Sequence, residues 1–281
     1  MVNIVSDHPL KIGSSQWRKL VLEEHLRITS RAVRVNSSLS NLGHSAIADI
    51  DTCHENFAEA KLLACDELAR HLSNSESEDL KNAFSFPLAI KSYNSLVATI
   101  KASGLVGDVI QALGTDDIIF HSPCGLYART IDPSNEIKKS KIDGSGFWHR
   151  DSIGNAIKIF VCLDVTGNGV KTELITGSQT MDPFVRNWEM LRSHDCLDVI
   201  NKFDDRIYSH YKPKITSISL KPGQCVAFNT NAVHRGIYLT HENGARLTYQ
   251  ITATTVTNAK LFDLFHQTSH FSNSRMITAL T

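Results

Sequence analysis

A histidine and an aspartate stand two positions apart near the middle of the chain, at His149 and Asp151. If this stretch is an extended strand, the two side chains share one face with Phe147, and Trp148 and Arg150 turn to the other face. A neutral imidazole and a carboxylate held side by side provide two ligands of a 2-His-1-carboxylate site for Fe(II). Because the spacing is common, a pair of surface polar residues or a helix cap is the alternative.

A third ligand is available downstream, at His234. The Pro222-Gly223 turn precedes one predicted strand, and Ala232–Tyr238, which contains His234, forms the next. A single histidine in an apolar strand is more often a core residue than a ligand. The pair at 149 and 151 makes the ligand interpretation the stronger one here.

Arg246 lies in a further predicted strand, Ala245–Ile251, with Thr248 two residues on and therefore on the same face. Burying a guanidinium is costly unless an anion meets it. An arginine fork with a neighbouring hydroxyl suits a bound carboxylate, such as one end of a dicarboxylate. The alternatives are an ion pair between Arg246 and an acidic residue, and a threonine chosen simply as a good strand former.

In their order and spacing these pieces resemble the phytanoyl-CoA dioxygenase-like branch of the Fe(II)/2-oxoglutarate-dependent oxygenases. The resemblance covers about residues 116–251, and Gln179 stands where the family often has histidine. It implies two cofactors, Fe(II) and 2-oxoglutarate. The metal ligands would be His149, Asp151 and His234; the 2-oxoglutarate contacts would be Arg246, Thr248 and either Tyr127 or Arg129. For the last two, a core tyrosine and an exposed arginine are the alternative.

The resemblance also implies the reaction. It would oxidise, and by default hydroxylate, a C–H bond of a small-molecule metabolite with O2, releasing succinate and CO2. A carboxylate at Asp151 argues against halogenation, and Phe147, Arg186 and Trp188 are the candidate substrate contacts. Two other classes stay open: a zinc hydrolase that uses the same three ligands, and a jelly-roll protein that binds metal without oxidative chemistry.

The composition limits the classes of partner that the protein is expected to bind. Among 281 residues, 29 Lys and Arg balance 29 Asp and Glu, with no long block of one sign. This argues against nucleic acid and against electrostatic membrane docking. No apolar run approaches the ~20 residues of a transmembrane helix. The six cysteines are scattered without Cys-x-x-Cys, so we expect reduced core residues in a cytoplasmic protein rather than disulfides or a zinc site.

The secondary-structure elements that must position these residues are predicted to be helices in the first part of the chain and strands after it. Apolar stripes at helical spacing predict helices over 17–25, 57–72, 90–100 and 105–113, and a short helix from Ser75 limited by Pro87. From 116 the pattern becomes short strands between turns. We therefore predict one α+β domain: packing helices over 1–115, a double-stranded β-helix (jelly-roll) core over 116–256, and a tail over 257–281. The mixed segment at about 181–214 is predicted to be a lid.

Overall fold

The structure is a computed structural model with an α+β architecture. It describes residues 14–34, 37–52, 55–73, 82–115, 117–134, 144–151, 155–185, 209–238, 240–255 and 278–279. The helices are α1 (Ser15–Arg34), α2 (Ser38–Leu42), α3 (Glu55–Ser73), α4 (Ile90–Ala102) and α5 (Leu105–Leu113). The strands are β1 (Ala48–Asp49), β2 (Ala83–Pro87), β3 (Ile118–Arg129), β4 (Ala156–Gly167), β5 (Lys171–Ile175), β6 (Ile215–Ile218), β7 (Gln224–Asn229), β8 (His234–Ile237), β9 (Gly244–Thr255) and β10 (Thr278–Ala279).

The helices form where the apolar stripes predicted them. On α3 the side chains of Phe57, Ala60 and Ala64 share one buried face, as spacings of three and four residues require. Helix α5 ends at Gly114, whose positive φ of 80° lets its N–H donate to the carbonyl of Ile110. The four helices predicted from these stripes are confirmed.

The helix predicted to run up to Pro87 is wrong in its described part. Residues 83–87 form β2, which pairs antiparallel with β3 over Ala83↔Ala128 to Pro87↔Cys124. Phe84 and Phe86 alternate with small residues, a period-2 pattern that suits a strand. The proline is tolerated because it is the last residue of the strand. Residues 75–81 lie outside the described part of the chain.

Two antiparallel sheets face each other. The larger has the order β1-β7-β4-β9-β3-β10, with β2 also paired to β3, and the smaller has the order β6-β5-β8. Helices cover one face of the larger sheet through a broad apolar cluster that includes Leu96, Ile100, Tyr249 and Ile251. A second cluster, in which Phe160 and Phe228 meet Leu174 and Ile218, joins the two sheets.

Alternation along β9 separates these two environments. Leu247, Tyr249 and Ile251 point to the helices, so Arg246 and Thr248 point into the space between the sheets. The last described strand, β10, pairs with β3 and brings part of the predicted C-terminal tail into the larger sheet. No single described helix is long and apolar enough to cross a membrane; the bent pair Lys91–Ala102 and Leu105–Leu113 passes that test only when taken together.

Candidate metal centre

The two ligand-bearing segments lie side by side in extended conformation. His149 and His234 exchange both backbone hydrogen bonds, each with an N···O distance of 2.9 Å, and the N–H of Asp151 donates to Thr230 at 3.1 Å. The first segment forms an isolated bridge rather than the predicted strand, and a 3-10 turn, Gly144–Gly146, lies shortly before it. The extended backbone still places His149 and Asp151 on one side and buries Trp148 and Arg150 on the other.

The three predicted ligand side chains converge. The Nε2 atom of His149 is 3.2 Å from Oδ1 of Asp151, and the Nε2 atom of His234 is 3.4 Å from Oδ2. The two imidazole centroids are 4.5 Å apart, and one ligand atom from each residue lies within 4.8 Å of the others. Two nitrogens and one carboxylate oxygen at such separations fit the facial donor set that non-haem iron and zinc accept.

Backbone carbonyls fix the orientation of both imidazoles. The Nδ1 of His149 lies 2.6 Å from the carbonyl oxygen of Phe147, and the Nδ1 of His234 lies 2.9 Å from that of Ala232. A carbonyl can only accept, so in each neutral ring Nδ1 carries the proton and Nε2 keeps its lone pair. Burial lowers the pKa of His234, which favours the neutral form that binds metals. Both rings are thus held as ligands before any metal arrives.

Lys158, on β4, completes the charge arrangement of the centre. Its ammonium forms an ion pair with Oδ2 of Asp151 and lies 5.9 Å from the ring centroid of Phe228. Burial alone would raise the pKa of Asp151, but Lys158 and then His234 hold that pKa well below its usual value. The carboxylate is therefore ionised, as a metal ligand must be.

Arg246 lies deeper between the sheets and is only 3% exposed. Its Nη2 donates to Oγ1 of Thr172 at 3.2 Å, whereas Nη1 is buried without a hydrogen-bond partner. Burial lowers the pKa of this guanidinium, and no described carboxylate forms an ion pair with it. A buried arginine in this state has donors left for a ligand oxygen.

A chain of contacts links Arg246 to the triad. The guanidinium lies 5.9 Å from the ring of Phe160, which contacts Phe228 at 5.2 Å, and Phe228 lies 4.9 Å from the ring of His234. On the smaller sheet, Thr172 is two residues from Leu174, the pairing partner of His234. One pleat of roughly 7 Å therefore separates the arginine contact from the histidine layer.

The other predicted site residues fall in different places. Thr248 is fully buried on the same face as Arg246, and its hydroxyl donates to the carbonyl of Leu126 at 3.3 Å. Tyr127 packs on the helix-covered face beside Phe84, and Arg129, two residues on, is exposed. The structure does not bring these two side chains to the site, because strand alternation turns both away from the Arg246 face.

Of the predicted substrate contacts, the structure describes one. Phe147 is half-buried next to the first ligand, and its carbonyl orients His149. Arg186 and Trp188 lie outside the described residues, as does most of the predicted lid. The structure describes two parts of the lid, 181–185 and 209–214. The first part meets α1, where Trp17 contacts Phe184 with ring centroids 5.8 Å apart.

Arg150, between the first two ligands, is a structural residue. It is fully buried and donates to three backbone carbonyls: Nε to Val185 at 2.8 Å, Nη2 to Ser178 at 3.0 Å and Nη1 to Asn231. Burial lowers its pKa to about 10. One guanidinium thus ties both ligand segments to the turn after β5 and to the first residues of the predicted lid.

Three residues near the site were not predicted. Lys158 is a charged residue in the otherwise apolar run 157–163, the same signal that identified Arg246. Thr172 gave no signal, since threonine is common in strands. The hydroxyl of Tyr238 lies 2.9 Å from that of Ser145, and this phenol is close enough to Arg246 to influence the arginine pKa. Only folding brings these residues together.

Comparisons with known proteins yield distant structural similarities. No protein-family model and no curated protein matches the chain. The solved structures include the non-heme monooxygenase ThoJ as its nickel complex (13% identity, 78% of this chain and 76% of that one, TM-score 0.47). They also include the epimerase SnoN with Fe3+, alpha ketoglutarate and nogalamycin RO (11% identity, 83% of this chain and 85% of that one, TM-score 0.49). A third is EctD from S. alaskensis with bound Fe (14% identity, 90% of this chain and 80% of that one, TM-score 0.47). Similarity at this level identifies neither a reaction nor a substrate.

Proposed function

We propose that the protein is an Fe(II)/2-oxoglutarate-dependent oxygenase. The observation that carries this proposal is the convergence of His149, Asp151 and His234, with both imidazoles already oriented by backbone carbonyls. Two nitrogens and one oxygen on one side of a metal leave the opposite side open for a chelating cosubstrate and O2. Structural zinc sites, by contrast, are closed by four protein ligands.

The chain's own residues would divide the work of binding. His149, Asp151 and His234 would hold Fe(II), which together with 2-oxoglutarate and O2 supplies the oxidising power and yields succinate and CO2. Arg246 would bind the distal carboxylate of 2-oxoglutarate through its free Nη1, with Thr172 beside it and Thr248 on the same face. Phe160 and Phe228 would line the space between and exclude water.

We further propose that the substrate is a small metabolite and that the outcome is oxidation of a C–H bond, by default hydroxylation. Phe147, Arg186 and Trp188 would contact it, beneath a lid at about 181–214. The two facing sheets would be the halves of a double-stranded β-helix in a single domain of the phytanoyl-CoA dioxygenase-like type, working in the cytoplasm. The convergence of buried His149 and His234 with partly buried Asp151, together with the buried Arg246, supports this proposal.

The described residues favour this function over a zinc hydrolase with the same ligands. A hydrolase needs a positioned general base, and it has no use for a buried guanidinium one pleat from the metal. Arg246 has a buried Nη1 that no described residue satisfies. A cosubstrate carboxylate accounts for that donor, and hydrolysis does not.

The test needs no knowledge of the substrate. Purified protein is titrated anaerobically with Fe(II), and succinate is then measured after 2-oxoglutarate and O2 are added, since uncoupled turnover releases succinate slowly. We expect one iron per chain and iron-dependent succinate. His234→Ala should abolish stoichiometric iron binding and succinate formation while circular dichroism stays unchanged. Retention of one tightly bound iron in that variant contradicts the triad, and iron binding without any succinate contradicts the oxygenase.

A further inference from the structure

Lys158 lies directly against a proposed metal ligand, Asp151. Its ammonium contacts Oδ2 of Asp151, and its side chain is 13% exposed. The other oxygen of the same carboxylate, Oδ1, lies 3.2 Å from Nε2 of His149. The carboxylate is thus shared between a cation that belongs to the chain and the position where a second cation would bind.

An ammonium cannot be a metal ligand, because all its valences are donors and it has no lone pair. It can only compete for the carboxylate or hold it. A dication on the triad and the Lys158 ammonium would both lie against one carboxylate in a largely buried space, where like charges repel more strongly than in water. In the metal-free protein the same ammonium neutralises a carboxylate that would otherwise be buried unpaired.

The contact also restricts how the carboxylate can bind. A free carboxylate can offer a metal one oxygen or two. Oδ2 lies 3.4 Å from Nε2 of His234, but it is also in contact with Lys158, so only Oδ1 is fully available. A single oxygen keeps open the positions that a chelating cosubstrate and O2 require. Nothing else among the described residues forms an ion pair with Asp151 except the two histidine ligands.

We propose that Lys158 is a positioning residue that holds Oδ2 of Asp151, so that the carboxylate gives the metal one oxygen, and whose charge weakens dication binding by the triad. This inference rests on the metal centre of the proposed function. It assigns the lysine two separable effects, one through its direct contact with Oδ2 and one through its charge. Different substitutions remove them separately.

The experiment uses Co(II), which does not react with O2 in turnover and reports its coordination in the visible spectrum. Dissociation constants are measured for the full chain and for three variants at position 158. Lys158→Met removes both charge and donor, Lys158→Gln keeps a donor without charge, and Lys158→Arg keeps both. The control is Lys61→Met, because Lys61 forms an ion pair with Asp164 at 2.9 Å that is more exposed and lies away from the triad.

We expect Lys158→Met and Lys158→Gln to bind Co(II) at least about tenfold more tightly, since repulsion is removed. Lys158→Arg and Lys61→Met should match the parent. The Co(II) spectrum should change in Lys158→Met, whose carboxylate is free to bind through both oxygens, and much less in Lys158→Gln. Cobalt should also raise the melting temperature of Lys158→Met more than that of the parent, because its metal-free state has lost the counter-charge.

The outcomes distinguish a failure of this inference from a failure of the proposed function on which it rests. If the parent chain binds no stoichiometric Co(II), the metal centre itself is wrong. If the parent binds and the two uncharged variants bind no more tightly, the charge effect is refuted. An unchanged spectrum in Lys158→Met refutes the positioning effect. Should that variant fail to fold without metal, Lys158→Gln still decides the charge effect, and the spectrum of Lys158→Met folded in the presence of Co(II) decides the positioning effect.

Discussion

Replacing Arg246 by leucine tests the proposed cosubstrate site most directly. The guanidinium is 3% exposed, uses Nη2 on Thr172 and leaves Nη1 unbonded. If a carboxylate of 2-oxoglutarate completes it, Arg246→Leu removes a buried charge pair. Such a loss costs about 2–5 kcal/mol. At about 1.4 kcal/mol per decade, the dissociation constant for 2-oxoglutarate should rise about 30-fold to about 4,000-fold.

The stability of the same variant distinguishes a ligand-binding arginine from a structural one. No described carboxylate pairs with Arg246, so its removal leaves no opposite charge buried and relieves an unpaired one. Replacing buried ionic groups by apolar ones is often neutral or stabilising. We therefore expect the free energy of unfolding without cosubstrate to stay level or to rise. Arg235→Leu is the contrast, because Arg235 donates twice to Glu173, and its loss should cost about 1–3 kcal/mol.

The assay is calorimetric titration of 2-oxoglutarate into the Mn(II)-loaded protein, with urea unfolding of the metal-free protein alongside. Manganese avoids turnover, so binding is measured without a substrate. Weaker binding of 2-oxoglutarate together with an unchanged or increased free energy of unfolding supports the proposed role. Unchanged 2-oxoglutarate affinity together with a loss of stability would falsify it and make Arg246 part of the framework.

Three further predictions concern the framework around the site. Arg150→Lys should lower the free energy of unfolding, measured in urea, by about 2–4 kcal/mol, because one ammonium cannot replace a guanidinium bonded to three carbonyls. The control, Arg129→Lys at an exposed position, should change that free energy by less than about 0.5 kcal/mol. Cys162 and Cys225 should resist iodoacetamide until the protein unfolds, since burial raises the pKa of both thiols to about 11. Hydrogen exchange across 181–214 should slow when a confirmed substrate joins metal and 2-oxoglutarate; equal strong protection in both states would make this segment scaffold.

Alternation was the reason why His149 and Asp151 could be predicted to share one side of the backbone; His234 was then a candidate because it lies in a later predicted strand. Whether the stretch around His149 is a regular strand or a single bridge, extended backbone places residues i and i+2 on one side, so the conclusion survived a wrong element. The burial of Arg246 could be predicted because the residue lies in an apolar strand, where a charge needs a partner. Both inferences depend on local periodicity and on the cost of burial, and these are properties that a single sequence carries.

The sequence could not predict which face of each strand the helices would cover. Tyr127 and Arg129 lie on β3, which pairs with β9, but nothing local indicated which face the helices would cover. The register decides it: Tyr127 pairs with Leu247 and Leu126 with Thr248, so the tyrosine joins the helix side. Similarly, β2 required a partner strand about forty positions downstream, and its alternating phenylalanines were overlooked in favour of a helix ending at proline.

Three cations in apolar surroundings show why burial alone does not assign a role. Arg150 is the most buried, yet backbone carbonyls satisfy it completely, so it holds loops together. Arg246 is nearly as buried, but its Nη1 has no hydrogen-bond partner, so it can still donate to a bound ligand. Lys158 is paired, but its partner is a proposed metal ligand, so it acts on the metal through that carboxylate. In each case the acceptor, or its absence, determines what the cation does, and the acceptor is what the sequence cannot show.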